Sequence, residues 1–234
     1  MELSIIVPAY NEEKRITPFL RDLLCYSKQH FRDYEIIIVN DGSKDNTVGV
    51  VSRLIKREKE SRARMISYSE NKGKGYAVRK GVLESKGENM IFIDADGSIA
   101  PDQIPLMLEK LKKYDVVVGS RRIRGADVDA SGFRVFIGTM FNYYVNLLYR
   151  IDVWDNLCGF KGFRKKAAKD LFRDLISRRW IFDVELFYKI RKKGYKMHEL
   201  PIRWVHKEDT KIRPLDPLKM AWQLLALRMR LLRN

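Results

Sequence analysis

Cysteine is nearly absent. Cys25 and Cys158 are the only two in 234 residues, so neither a disulfide framework nor a metal-type cysteine spacing is available, and a reducing, intracellular home is expected. His30, His198 and His206 are scattered with no helical metal-ligand spacing, and structural or exposed roles are expected for them. No run of about 20 apolar residues occurs, so no membrane span is expected. The two nearest stretches, around 133–149 and 218–232, carry Arg or Asn inside them. The opening MELSIIVPAYNEEKR is apolar too briefly for a signal peptide. No G-x-S-x-G elbow is present, and a dinucleotide fingerprint fails because Val78 stands where its third glycine belongs. Acidic residues are also few, 30 against 46 Lys plus Arg, which leaves a net charge of +16. Such an excess implies an anionic partner: nucleic acid, an acidic membrane or a phosphorylated substrate. A nucleic-acid partner is not expected, because neither a recognised module nor an aromatic-basic strand platform is visible.

What is present is a globular mixture, 45% hydrophobic and 32% charged. Leu3–Val7, Glu35–Val39, Met65–Tyr68, Met90–Asp94 and Val116–Gly119 read as strands. All but the third are almost continuously apolar, as strands covered on both faces must be. Segments near 17–28, 45–60, 75–86 and 102–113 read as helices between them. This alternation predicts an α/β fold with a mostly parallel sheet and a ligand site outside the carboxyl ends of its strands. After residue 125 the rhythm changes to a helical stretch Phe133 to Tyr149, then DNLCGFKGF, a helix near 165–175, RRWIFDVEL, a late strand Lys196–Val205 and a helical tail from Pro217. One domain over 1–211, with an amphipathic helical region at about 131–150, and a basic helix over 212–234 are expected.

Asp94-Ala95-Asp96 leaves the strand MIFI. Two carboxylates at a strand end suit a hard divalent cation shared with phosphate oxygens, although a solvated Asp-Gly turn has the same composition. Asn40-Asp41-Gly42-Ser43, with Asp45 and Thr47, offers an acceptor for a base N–H, or simply the cap of the next helix. Asn71-Lys72-Gly73-Lys74-Gly75 places two lysines at a helix start, where phosphate binds well. Trp180 and Phe182, beside Asp183 and Glu185, read either as a sugar-pocket wall or as an aromatic helix start in the core.

Taken in order, SIIVPAYNEEKRI, YEIIIVNDGSKDNT, NKGKGYAVRKG and FIDADG resemble the N-terminal half of the family 2 glycosyltransferases of GT-A fold. VVVGSRR, CGFKGF and RRWIFDVEL are similar to the polyprenyl (dolichyl) phosphate glucose and mannose synthases within that family, with Asp183 favouring the glucosyl branch over the Gln of mannosyl enzymes. The resemblance implies an inverting transfer of a hexose, from UDP-glucose or GDP-mannose, to a polyprenyl phosphate at the cytoplasmic membrane face, with Mg or Mn as cofactor. It implies that Pro8, Tyr10, Glu12, Val39 and Asp41 form the base and ribose pocket. Asp94, Ala95 and Asp96 would hold nucleotide and metal, Asp96 being the main ligand. Arg121, Lys161, Lys207 and Lys211 would neutralise the diphosphate and the acceptor phosphate; Asp96, Arg121 and Lys161 are the expected catalytic set. Arg134 and Asn142 would face the lipid phosphate, and Trp180, Asp183 and Glu185 the sugar. The chain departs from the family at Asn40, usually Asp, and at Gly138, a Ser in mannosyl relatives.

Two rivals stand beside this reading. One is a family 2 transferase with a soluble or polymer-borne hydroxyl acceptor; the other is a nucleotide- or nucleic-acid-binding protein without transferase activity. The tail supports membrane contact. On a helix Leu218, Trp222, Leu225, Met229 and Leu232 form one stripe, and Met220, Leu224, Leu227 and Leu231 another. Two stripes predict one facing the domain and one facing lipid or a partner chain, against simple docking of both.

Overall fold

The computed structural model describes residues 1–129, 132–206 and 216–232; within these, 129, 132–138, 141, 216–221 and 232 are described by backbone only. The elements in chain order are β1 (Leu3–Ala9), α1 (Ile16–His30), β2 (Tyr34–Asp41), α2 (Thr47–Arg57), β3 (Ala63–Tyr68), α3 (Lys74–Glu84), β4 (Asn89–Ile93), α4 (Ile104–Leu111), β5 (Val116–Ser120), β6 (Asp127–Asp129), α5 (Gly132–Tyr149), β7 (Phe160–Arg164), α6 (Lys165–Arg173), α7 (Phe182–Lys193), β8 (Met197–Pro201), β9 (Arg203–Val205) and α8 (Asp216–Leu232). Seven strands form one sheet in the order β3-β2-β1-β4-β7-β5-β8. All pairings are parallel except those of β7, which runs antiparallel to both β4 and β5. β6 and β9 make a small parallel pair beside it.

The near-continuous apolarity of β1, β2, β4 and β5 has a direct cause. Ile6, Ile37, Val39, Phe92 and Val118 face a core shared with α3, α5, α6, α7 and α8. Their neighbours Ile5, Ile36, Ile38, Ile91 and Val117 face a second core shared with α1, α2 and α4. Alternation sends successive side chains to opposite faces, and both faces are covered.

Three expectations are corrected. FKGF, placed in no strand from the sequence, is β7 and sits in mid-sheet, with Lys161 on it fully buried. The late strand Lys196–Val205 is two strands: Pro201 ends β8 opposite Ser120, and the chain crosses to pair β9 with β6. Gln103 holds that crossing, its amide donating to the Arg203 carbonyl and accepting from the Arg203 N–H, each at 2.8 Å. Finally, α3 begins at Lys74, one residue before the expected start.

The other end of α3 is closed by a lysine. Lys169 of α6 donates to the carbonyls of Val82, Leu83 and Ser85, each at 2.8 Å. Those carbonyls are the orphan acceptors of a helix end, and a cation there also meets the negative pole of the helix. Replacing Lys169 with Met should lower unfolding free energy by about 1–3 kcal/mol, the range for stranding acceptors of a charged donor. Urea denaturation measures this; an unchanged midpoint contradicts the capping role.

Candidate functional site

The parallel strands bring the chain segments after β1, β2, β4 and β5 to one edge of the sheet, as expected. The first two segments are laced together by side chains. Asn11 N–H donates to Ser43 Oγ (2.9 Å), Lys44 N–H to Asn11 Oδ1 (2.8 Å), Glu12 N–H to Thr47 Oγ1 (2.8 Å) and Glu13 N–H to Asp45 Oδ2 (3.1 Å). Although burial opposes it, the hydrogen bonds from Thr47 and the Glu13 backbone hold the Asp45 carboxyl below its ordinary range. Arg15 grips both Glu12 oxygens at 2.9 Å, so Glu12 braces this loop. Asn40, the departure from the family pattern, is a staple: it donates to Ser67 Oγ and accepts from Ser43 N–H. Pro8 and Val39 are buried strand residues, and the Val39 side chain packs toward Gly81 of α3, so it lines the core and not a pocket. Tyr10 is half-buried just beyond β1.

Asp41, expected in the base pocket, is bound by the chain itself. Its Oδ1 accepts from Tyr68 Oη and Lys72 N–H, both at 2.8 Å, and its Oδ2 from Asn71 Nδ2 and Gly73 N–H, both at 2.9 Å. A carboxylate has about four acceptor positions, and here four donors of the chain meet it, so Asp41 holds the 71–73 loop at the end of β2. Burial, then Asp41 itself, pushes the Tyr68 phenol up, keeping it a donor. Two glycines make the knot possible. A Cβ on Gly42 (φ +64°) would lie 2.4 Å from the Glu70 carbonyl carbon, and one on Gly73 (φ +99°) would lie 2.4 Å from the Arg178 carbonyl oxygen.

The loop delivers Lys74, first residue of α3, onto Asp94. Its Nζ lies 2.7 Å from Oδ1 and 2.8 Å from Oδ2. Burial opposes the charge, but Asp94 foremost, then Asp183 and Asp96, hold Lys74 above the ordinary lysine range. The Trp180 ring stands 5.5 Å from the same ammonium. Asp94 lies flat on Gly159, where a Cβ would come within 1.9 Å of Oδ2. Asp96 accepts from Ser98 N–H at 2.9 Å, and the buried Ala95 lies between the two carboxylates.

Lys161 does not reach the open cleft. It is 0% exposed, donates to Asp183 Oδ1 at 2.8 Å and to the Cys158 carbonyl, and lies between the rings of Phe92 and Phe187. It is a positioning residue for Asp183, whose carboxyl burial pushes up against the pull of Lys161 and Lys74. Glu185 is also corrected. It is fully buried, accepts from the N–H groups of Ile176 and Ser177 and pairs with Lys189, so it anchors the 176–177 turn and not a sugar. Trp180 and Asp183 do come together at Lys74.

Arg121, just past β5, is clamped by Asp155: Nε to Oδ2 at 2.7 Å, Nη2 to Oδ1 at 2.9 Å and the backbone N–H to Oδ2 at 3.0 Å. Its side chain stays partly open, over the Trp204 ring at 5.4 Å. Sequence reasoning missed Asp155; a lone acid between Trp154 and Asn156 has no periodic signal. Asn142 is corrected from facing a lipid phosphate: it is buried, donating to the Val153 carbonyl at 2.9 Å and accepting from Asn156 N–H, which steadies the Asp155 turn. The neighbouring Cys158 thiol is pushed up to about 12 by burial, so it is inert. Lys207 and Lys211 lie outside the described residues, as does the side chain of Arg134.

Among the described residues no three His, Cys, Asp or Glu side chains form a cation cage. Asp94 and Asp96 still fit Mg²⁺ or Mn²⁺ in the way typical of phosphate enzymes, one or two carboxylates completed by substrate phosphates and water.

This sheet, with its acidic strand end and lysine-bearing loop, defines a glycosyltransferase of GT-A type. The chain belongs to the glycosyltransferases of family 2: the model of "Glycosyl transferase family 2" matches residues 4–172. It is 36% identical to dolichyl-phosphate beta-glucosyltransferase of Drosophila melanogaster over 92% of this chain and 70% of that protein. To the Homo sapiens enzyme of the same name it is 35% identical, over 99% and 76% respectively. In fold it is similar to glucosyl-3-phosphoglycerate synthase of Mycobacterium tuberculosis, solved with Mn²⁺, UDP and glucosyl-3-phosphoglycerate, with a TM-score of 0.68 at 20% identity over 96% of this chain and 77% of that one. Staphylococcus aureus TarS with UDP-GlcNAc matches at a TM-score of 0.62 and 20% identity, over 97% and 66%.

The Gly159 contact gives a test independent of function. Gly159→Ala should cost about 1–3 kcal/mol by overpacking against Asp94. Because the clash needs the carboxylate, Gly159→Ala with Asp94→Ala should cost at least about 1 kcal/mol less than the two changes summed. Strict additivity in urea denaturation contradicts the contact.

Proposed function

We propose that this glycosyltransferase moves glucose from UDP-glucose to dolichyl phosphate, with inversion, as a peripheral protein on the cytoplasmic membrane face. The observation that carries the donor half is the convergence of Lys74, Asp94, Asp96, Trp180 and Asp183 at the end of β4, with Arg121 beyond β5. The relatives carry the acceptor half.

Breaking the bond to the anomeric carbon sends its electron pair to the leaving oxygen and adds one negative charge to a diphosphate that already carries two. A divalent cation on Asp94 and Asp96 would supply part of the neutralisation. Lys74 and the guanidinium of Arg121, its plane fixed by Asp155, supply the rest from the chain, and such preorganised charge is often the largest catalytic contribution. Trp180 and Asp183 hold the hexose. A phosphate monoester, with its second pKa near 6, is mostly dianionic at neutral pH and needs no base to attack. That suits Asp183, which Lys161 binds at 2.8 Å and which is buried away from solvent. Arg134 meets the acceptor phosphate, as the family resemblance implies.

Purified protein with labelled UDP-glucose, Mg²⁺ and dolichyl phosphate in detergent should yield an acid-labile glucolipid. Arg134→Ala should cripple that transfer at least about 100-fold while UDP-glucose binding stays within about twofold, the behaviour of a contact made only to the acceptor. Transfer to a sugar hydroxyl with Asp183 as an essential base, and Arg134 dispensable, overturns the lipid-phosphate reading.

The tail supports the membrane part. Leu224, Leu227 and Leu231 of α8 are buried in the core against α5 and α7, and Tyr149 donates to the Leu224 carbonyl. The other stripe, Trp222 (73% exposed), Leu225 and Met229, faces away from the core, and Met140, Tyr143 (66% exposed) and Leu147 make a like stripe on α5. Leu218, Met220 and Leu232 fall outside the described side chains. Arg150, Arg191 and Arg228 line a cavity between α5, α7 and α8, adding attraction for anionic headgroups. Among the described residues no helix is long and apolar enough to cross a membrane. Trp222→Glu with Met229→Glu should release the protein from phosphatidylserine vesicles in a flotation assay, with salt weakening the wild type. Equal, salt-independent flotation of both contradicts peripheral attachment by this face.

A further inference from the structure

Resting on the donor-site reading, we propose that Lys74 is a built-in counter-cation that occupies the metal-facing carboxylate until a nucleoside diphosphate draws it away, so that the diphosphate must bind for the metal to bind well. The ammonium contacts both oxygens of Asp94, at 2.7 and 2.8 Å, which is the position a cation chelated by that carboxylate would take. Two cations cannot share that position. Lys74 is also poorly placed to leave unaided: its side chain is only 15% exposed, and its charge faces Asp94, Asp183 and Asp96, with Asp183 shared with Lys161. A buried ammonium stripped of its carboxylate is strongly disfavoured.

A diphosphate changes this. Lys74 is the first residue of α3, so the backbone that carries it is the positive pole of a helix start, where phosphate is favoured. Phosphate oxygens there offer Lys74 a second partner, and Asp94 is released to the cation the diphosphate brings. The backbone on either side is not free to relieve the competition by moving. Asp41 and the Arg178 carbonyl fix the loop before Lys74, Tyr76 N–H donates to that same carbonyl at 3.0 Å, and Gly159 backs Asp94 at contact distance. The side chain alone moves.

The consequence is two opposite effects of one substitution. In the intact chain, Lys74→Met should tighten binding of Mn²⁺ alone, read by electron paramagnetic resonance, at least about tenfold, since it removes a unit charge in contact with the ligand. The same variant should weaken binding of UDP in EDTA, read by calorimetry, at least about tenfold. Lys74→Gln should share both directions and Lys74→Arg should retain wild-type affinity for Mn²⁺ alone. Lys72→Met should change Mn²⁺ binding less than about twofold, because Lys72 lies over the Tyr68 and Tyr76 rings and not on Asp94. By reciprocity, the factor by which UDP improves Mn²⁺ affinity should fall in Lys74→Met. Unchanged or weaker Mn²⁺ binding by both neutral variants, with thermal melts showing them folded, overturns the counter-cation. Failure of the wild type to bind Mn²⁺ even with UDP present overturns the donor-site reading with it.

Discussion

Four donors converge on the Asp41 carboxylate, and the arrangement of the site depends on them. That knot, with the Arg178 carbonyl, fixes the path of the 71–73 loop and so the place of Lys74 at the start of α3. Lys74 in turn sets the state of Asp94, and Gly159 leaves Asp94 the space to lie where Lys74 finds it. A side chain at the end of β2 therefore governs a carboxylate at the end of β4, through one loop and one ion pair.

The same economy of charge recurs along the edge of the sheet. Lys74 sits on Asp94, Lys161 on Asp183 and Arg121 on Asp155, each at 2.7 to 2.8 Å. The three pairs differ in burial, and that difference assigns their work. Lys161 is sealed and orients Asp183 while also holding the Cys158 carbonyl. Arg121 and Lys74 keep some access, as the proposed contacts to phosphate require. The excess of positive charge that marks the whole chain lies elsewhere too, with Arg150, Arg191 and Arg228 gathered near the exposed apolar stripes of α5 and α8.

Much of this was legible before the structure. Strands covered on both faces must be apolar throughout, so β1, β2, β4 and β5 declared themselves, and the polar segments after them marked the site. The two stripes of the tail split as their spacing implied, Leu224 inward and Trp222 outward. What stayed hidden depends on contacts between distant residues. β7 was obscured because Lys161 interrupts it and its antiparallel neighbours lie about 70 and 45 positions earlier. Asp155 and Glu185 are ordinary acids in the sequence; only folding shows one clamping an arginine and the other capping a turn. The hold of Asp41 on the 71–73 loop was likewise hidden, because its donors lie about 30 positions later in the chain.

A crystal structure of the intact chain with UDP and Mn²⁺ tests the central claim most directly. The account predicts the diphosphate at the start of α3 within hydrogen-bond reach of Lys74 Nζ, the ion on Asp94 and Asp96, and Lys74 no longer capping both Asp94 oxygens. A diphosphate bound away from Lys74, or an ion on Asp94 with the Lys74 contact intact, would contradict it.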